Sequence, residues 1–399
     1  MNDVRIIALI GAGHMVSHFL QLTLPPLFPL LKSEFDVSWV ALGLVSSVFY
    51  CVSGVMQTVS GVFVDRLGAR RVLLTGMTLF AGAIAAAGLA PSYWMLLPIA
   101  AVAGVGNSVF HPADYSMLNA SVSARRIARG YSAHAILGSA GFILGPVFVG
   151  TVSHFAGWRT ALLAAAGVAF VATLVIATQT RGLGVSAPHP VEIAREGVRG
   201  DVRLLLAAPI LMALSYFAML SLSTSGIQTF AVPALGMIYD TPLALATGAL
   251  TIYLIGGAIG TLAGGFLADR ASRHDLVAAA GVVSAATLIG ILASGSLPHT
   301  LIGVVMAAAG FSMGITGPSR DMLVRAATPR GSSGKVFGFV YSGMDLGSLS
   351  APPLYGWFLD RGEPRTMFTV IAAIMLLMIF TVVQFRRHLV PQPAPAPGG

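Results

Sequence analysis

The feature that most constrains this chain is a run of about 20 almost wholly apolar residues that recurs along its length. Coiled as a helix, such a run spans the ~30 Å hydrocarbon core of a bilayer. Twelve are read: 6–31, 38–62, 72–90, 94–118, 130–153, 160–180, 204–232, 243–267, 276–294, 300–324, 336–359 and 366–385. Only 10% of residues are charged, against about 25% in soluble domains, so water is a poor solvent for this surface. The fold class is therefore an all-α membrane protein of twelve transmembrane helices. The first run follows Met1–Arg5 with no small-residue cleavage site and reads as a span, not a signal peptide. The single cysteine, Cys51, excludes a disulfide framework.

Connections between runs are short except residues 181–203, a polar stretch with Pro188 and Pro190 that divides the spans six and six. The expected organisation is an N-terminal six-helix bundle (1–180), a cytoplasmic linker (181–203), a C-terminal six-helix bundle (204–388) and a disordered Pro/Ala/Gly tail (389–399). Placing both termini in the cytoplasm puts 19 of the 23 Lys and Arg residues on that side. Only Lys32, Arg159, Arg361 and Arg365 lie opposite. The net charge of +8 thus reads as topology, and no nucleic-acid partner is expected.

The halves repeat at an offset of about two hundred residues. Gly61-Val-Phe-Val-Asp65-Arg66 aligns with Gly265-Phe-Leu-Ala-Asp269-Arg270, Pro112-Ala-Asp114 with Pro318-Ser-Arg320, and Gly145-Pro146-x3-Gly150 with Ala351-Pro352-x3-Gly356. Six spans per half make these parallel repeats about an axis along the membrane normal, an arrangement that places a substrate site between the halves. The doubled segment, with basic residues Arg70, Arg71 and Arg273 trailing it, resembles the cytoplasmic loop signature of the major facilitator superfamily, and the resemblance covers essentially the whole chain. Asp65, Arg66, Arg70, Asp269, Arg270 and Arg273 are its gating-loop residues. Gly61 would let span 2 approach a neighbour, and Asp65 would pair with arginines or face a helix N-terminus. In span 5, Gly138-x2-Gly141-x3-Gly145-Pro146-x3-Gly150 looks like the Gly-Pro motif of the superfamily's prokaryotic drug:proton antiporters. Its small residues would equally serve close helix packing. Those antiporters carry an arginine in span 4, whereas Leu96–Ala103 has no charge.

Ionisable groups at membrane depth are costly and mark substrate or ion paths. The resemblance implies that spans 1, 4, 7 and 10 line that path. His14, His18 and Gln21 form one stripe at i, i+4, i+7. Asn107, His111 and Asp114 share a face of span 4, with Arg320 and Asp321 at the same depth in span 10. Span 11 carries Tyr341 and Asp345, span 7 offers Ser225, Gln228 and Thr229, and His134 sits near one end of span 5. A zinc pair at His14 and His18 is possible by spacing, but no H-E-x-x-H motif is present, so metals and cofactors are set aside. GxxxxGK[ST] is absent too, against an ATP-driven pump, and no catalytic nucleophile is apparent.

The expected function is secondary active transport of a small organic solute by alternating access, proton-coupled, with antiport and efflux favoured. A proton-coupled importer or organic-anion exchanger is the nearest alternative, and a channel or membrane enzyme a more distant one. Asp345, Asp114 and the span 1 histidines are candidate proton carriers. Asp114 and Arg320, equivalent positions of opposite charge, would form a latch when the cytoplasmic side closes. The protein is expected in the bacterial inner membrane as a monomer, its partners lipid, solute and protons.

Overall fold

A computed structural model describes residues 3–123, 125–180, 205–327 and 333–387; the expected linker and tail lie outside the described residues. All twelve spans are helical, and no strand occurs among the described residues. Several spans are broken in ways that hydropathy does not reveal. Span 1 runs Asp3–Gln21, turns through Pro25–Leu27, and resumes at Phe28–Phe35. Two adjacent prolines in that turn remove the backbone donors a continuous helix needs. Spans 5 and 6 form one helical run, Ile127–Gln179, turned only at Gly157, whose φ of 80° suits a residue without Cβ. The expected six-residue connection, 154–159, is mostly helix.

The repeat is visible as geometry. Span 4 is Tyr93–Asn107 followed by Phe110–Ser121, and span 10 is His299–Gly314 followed by Thr316–Ala327. Each breaks a few residues before the aligned Pro112 and Pro318. Spans 1 and 7 end at Asp36 and Asp240, both left-handed, with φ of 50° and 53°. The packing repeats as well: span 1 lies on span 5 as span 7 lies on span 11, and span 3 on span 6 as span 9 on span 12. Across the halves, span 2 packs on span 11 and span 5 on span 8.

Glycines set the closest approaches. In span 5, a Cβ on Gly141 would strike the carbonyl of Met15, and one on Gly145 would lie 2.6 Å from the carbonyl of Phe19. The Gly-Pro segment therefore presents a smooth face on which span 1 lies backbone to backbone. Gly150, one turn beyond Pro146, lies 3.0 Å from Thr247 of span 8, measured from the place of a Cβ.

Among the described residues the halves are fastened at the end away from the N-terminus. Spans 2 (Trp39–Leu67) and 11 (Ser333–Asp360) touch through Gly43 and Pro352, through Trp39 and Gly356, and through a 2.8 Å bond from Ser47 Oγ to the Leu349 carbonyl. The seam is pinned where span 2 begins. Asp360 Oδ1 accepts the Trp39 N–H at 2.6 Å and Oδ2 accepts the Val40 N–H at 2.9 Å. Ser38 Oγ takes the next free donor, Ala41 N–H. A carboxylate from the second half thus caps a helix of the first. Toward the other end the seam opens: no described residue lies within 4 Å of where a Cβ would stand on Gly61 or Gly265. The close approach expected at Gly61 is not made in this conformation.

Candidate functional site

Between the halves lies a cavity of about 320 Å³ walled by spans 5, 7, 8 and 10. Ser139 and Phe142 come from the first half, and Thr224, Gln228, Thr261, Arg320 and Asp321 from the second. The break in span 10 at Ile315 brings Arg320 and Asp321 to its wall. Arg320 Nε donates to Asp321 Oδ1 at 2.9 Å, and its guanidinium lies 4.6 Å from the Phe217 ring centre. Tyr341 Oη reaches the same Asp321 oxygen at 3.4 Å while its ring packs on Phe217. The wall therefore offers a fixed cation, its counter-charge and aromatic faces, beside the hydroxyl and amide groups of Thr224 and Gln228.

Other expected residues lie elsewhere. Ser225 is buried and shares Ser348 Oγ with Ser221, at 3.0 and 2.7 Å, so it fastens span 7 to span 11. Asn107 accepts from Ser17 Oγ and donates to Ser53 Oγ, each at 2.9 Å, tying spans 1, 2 and 4 together. Gln21 donates to Tyr50 Oη at 3.3 Å and faces a separate small apolar pocket with Phe49 and Phe80. Asp345 is exposed and lies against Gly54, where the seam between spans 2 and 11 ends.

The latch expected between Asp114 and Arg320 with the cytoplasmic side closed is not formed in this conformation. Asp114 is fully buried, its Oδ2 bonded to His134 Nε2 at 3.0 Å and 3.6 Å from His14 Nδ1. It therefore turns into spans 1 and 5, away from Arg320, whose partner is Asp321. His14 is enclosed in the same place rather than lining the cavity, with its ring stacked on His134 at 3.6 Å. His18, tilted against His14 at 4.3 Å, stacks on Phe142 at 3.9 Å and so backs the cavity wall. His111 completes a cluster of four imidazoles about one carboxylate. One nitrogen each from His14, His111 and His134 come close enough together to share a metal ion. The sequence places His134 near one end of span 5 but gives no sign that it pairs with Asp114, 20 positions away. Its spacing from Gly138, one turn on and facing span 1, is the signal that could have found it.

The gating-loop residues stand apart at the open end. Asp65 and Arg66 are exposed, and Asp65 makes no ion pair among the described residues. Arg70 instead ties span 3 to span 6, donating to Thr180 Oγ1 at 3.0 Å and to the Ala177 carbonyl at 2.6 Å. Arg273 pairs with Asp275 through two bonds, at 3.0 and 2.9 Å, which raises its already high pKa. Asp269 is exposed, and Arg270 reaches the Phe266 carbonyl at 3.5 Å.

Comparison with known proteins agrees with this architecture. The sequence profile of the Major Facilitator Superfamily matches residues 10–246 and 217–399. The chain is 26% identical over 395 residues to the fosmidomycin resistance protein of Escherichia coli (strain K12), covering 94% of this chain and 92% of that one. Among solved structures it is similar to the nucleoside transporter NupG, with a TM-score of 0.77 at 16% identity, over 97% and 100% of the two chains. It is also similar to a bacterial homologue of the human lysosomal transporter Spinster in an inward-facing, unoccupied conformation. That match has a TM-score of 0.74 at 15% identity, over 98% and 99% of the chains.

Proposed function

Since the chain belongs to the Major Facilitator Superfamily, and is thus a membrane transporter of small molecules rather than an enzyme, we propose that it expels a small organic solute from the cytoplasm in exchange for protons. The observation that carries this reading is a cavity between two halves that are joined across spans 2 and 11 toward one end, while toward the other no described residue approaches Gly61 or Gly265. A cavity with one closed end is what a carrier presents midway through alternating access, whereas a channel needs both ends open together. With both termini in the cytoplasm, as the distribution of basic residues favours, the parted end faces inward. Residues 1–180 and 204–388 then act as two bundles rocking about the cavity in a single copy of the chain. Likeness to a fosmidomycin resistance protein along nearly the whole chain supports efflux.

Substrate is held in this reading by Arg320, Gln228, Thr224 and the ring of Phe142. Asp345, where the seam ends, is the carboxylate proposed to carry the proton, because the environment of that point changes as the seam opens and shuts. His14 and Asp114, enclosed away from the cavity, stand off that path in this conformation. At the open end, Asp65 and Asp269 close the cycle: Asp65 ends span 2 as Asp360 ends span 11, and it would cap the start of span 11 when the cytoplasmic side shuts. Arg320 at the wall supports a second reading, exchange of organic anions, in which substrate displaces Asp321 from the guanidinium.

Proteoliposomes with an imposed pH gradient, tested against a panel of antibiotics and organic anions, distinguish these readings. Efflux predicts solute uptake into inverted vesicles driven by an acid interior. Anion exchange predicts pH-independent counterflow. Ion currents far above carrier turnover would defeat both.

A further inference from the structure

The polar residues enclosed between spans 1, 4 and 5 are not consumed by the transport reading. Four of the chain's nine histidines gather there about Asp114. His14, His134 and Asp114 are almost or wholly inaccessible. Buried polar atoms are nearly always paired, and leaving one unpaired costs about 1–3 kcal/mol. Here His14 Nδ1, His18 Nδ1, His111 Nδ1 and Asp114 Oδ1 have no hydrogen-bond partner. A purely interhelical role would use these atoms to bond one helix to another, yet among the described residues His134 and Asp114 are the one pair of cluster side chains hydrogen-bonded to each other.

We propose that His14, His111 and His134, with Asp114 beside them, form a binding site for a first-row transition dication of the Zn²⁺ type. One donor nitrogen from each imidazole lies within 4.8 Å of the others. Ligand atoms at ~2.0–2.1 Å around a tetrahedral ion stand about 3.3 Å apart, so side-chain rotation closes the gap. The three ligands come from three helices, spans 1, 4 and 5. Asp114 Oδ2 is bonded to His134 Nε2 at 3.0 Å, which fixes that ring beside the other two imidazoles. The free oxygen of Asp114 offsets part of the dication's charge inside the membrane. Gly138 makes the room: a Cβ there would lie 2.7 Å from His14 Nε2 and 3.0 Å from His18 Nδ1. Imidazole donors select Zn²⁺, Ni²⁺ or Cu²⁺, whereas Mg²⁺ and Ca²⁺ require sites built of oxygen. None of the three imidazoles lines the solute cavity, which His18 backs by stacking on Phe142, and the site stands whether the protein exports or imports.

The full chain, purified in detergent and stripped with chelator, is titrated with Zn²⁺ by calorimetry, and with Co²⁺ as a spectroscopic probe. Expected are one equivalent bound at micromolar affinity or tighter, a raised Tm reversed by EDTA, the visible absorption of low-symmetry Co²⁺, and no response to Mg²⁺. His14→Gln and His134→Gln should weaken binding by at least tenfold, and Asp114→Asn by about 10–100-fold. His299→Gln, which removes a histidine bonded to the Tyr239 carbonyl far from the cluster, should leave it unchanged. Because a cluster variant could fail to fold, His111→Cys is the companion: it supplies a thiolate, and binding with a new sulfur-to-cobalt charge-transfer band supports the site. Absence of binding in the wild-type chain overturns the proposal, as does binding that His14→Gln, His111→Cys and His134→Gln leave untouched.

Discussion

Replacing Asp360 should unlatch the closed end. Its carboxylate holds the first two N–H groups of span 2 at 2.6 and 2.9 Å. Hydrogen bonds to a charged group contribute about 1.5–3 kcal/mol each when well buried, and a carboxylate at a helix N-terminus adds about 0.3–1 kcal/mol. Asp360 is exposed and the Val40 bond lies in the open, so water recovers much of this, and about 2 kcal/mol is a fair total. These bonds join the two halves, so they exist only while that end is shut. Asp360→Ala should therefore shift the equilibrium toward the opposite conformation by about 30-fold, at about 1.4 kcal/mol per decade. Asp360→Asn keeps one acceptor without the charge and should shift it by less. Single-molecule fluorescence between dyes on the two halves at this end reads the populations directly. Populations unchanged in Asp360→Ala would refute the latch, and with it the claim that the cap helps set the resting state.

Three further substitutions probe other parts of the account. Gly141→Val should destabilise the protein by at least about 1–3 kcal/mol, since its side chain meets the Met15 backbone; thermal unfolding in detergent checks this, and an unchanged Tm would contradict the packing. Asp345→Asn should abolish gradient-driven accumulation while sparing solute exchange in proteoliposomes; accumulation at the wild-type rate would clear it of proton carriage. Arg320→Gln should raise KM more than tenfold for anionic solutes and little for neutral ones, and the charge swap Asp114→Arg with Arg320→Asp should not restore transport, because Asp114 faces His134; rescue by the swap would revive the latch between them.

The fold was legible because a bilayer imposes a length: each apolar run had to be a span, and doubled motifs paired the halves. Less legible were the interruptions. Spans 4 and 10 break at Ser108–Val109 and Ile315, three or four residues ahead of Pro112 and Pro318, whose rings disturb the preceding turn, and spans 5 and 6 are turned by Gly157 alone. At the site, spacing put His14 and Asp114 on the right helices but could not say which way those helices turn. Two residues on a helix share a face in any rotation; whether that face meets the cavity or a neighbour depends on packing. Gly138, Gly141 and Gly145 pull span 1 against span 5 and so carry His14 inward. Arg320 lies on the cavity wall, and its pairing with the adjacent Asp321 is the simpler outcome of local charge. Asp360 carries no sequence signal for its role, because the helix start that it caps lies 320 residues away.

The central claim, that two halves alternate about one cavity, is tested most directly by paired distances. With Cys51, the chain's only cysteine, replaced by Ser, spin labels are placed at Asp36 and Glu363 for the end now sealed, and at Arg66 and Arg270 for the end now parted. Pulsed dipolar spectroscopy across pH and with transported solute should give two populations in each pair, the first distance lengthening as the second shortens. A single unchanging distance in both pairs, or both ends opening together, would contradict it.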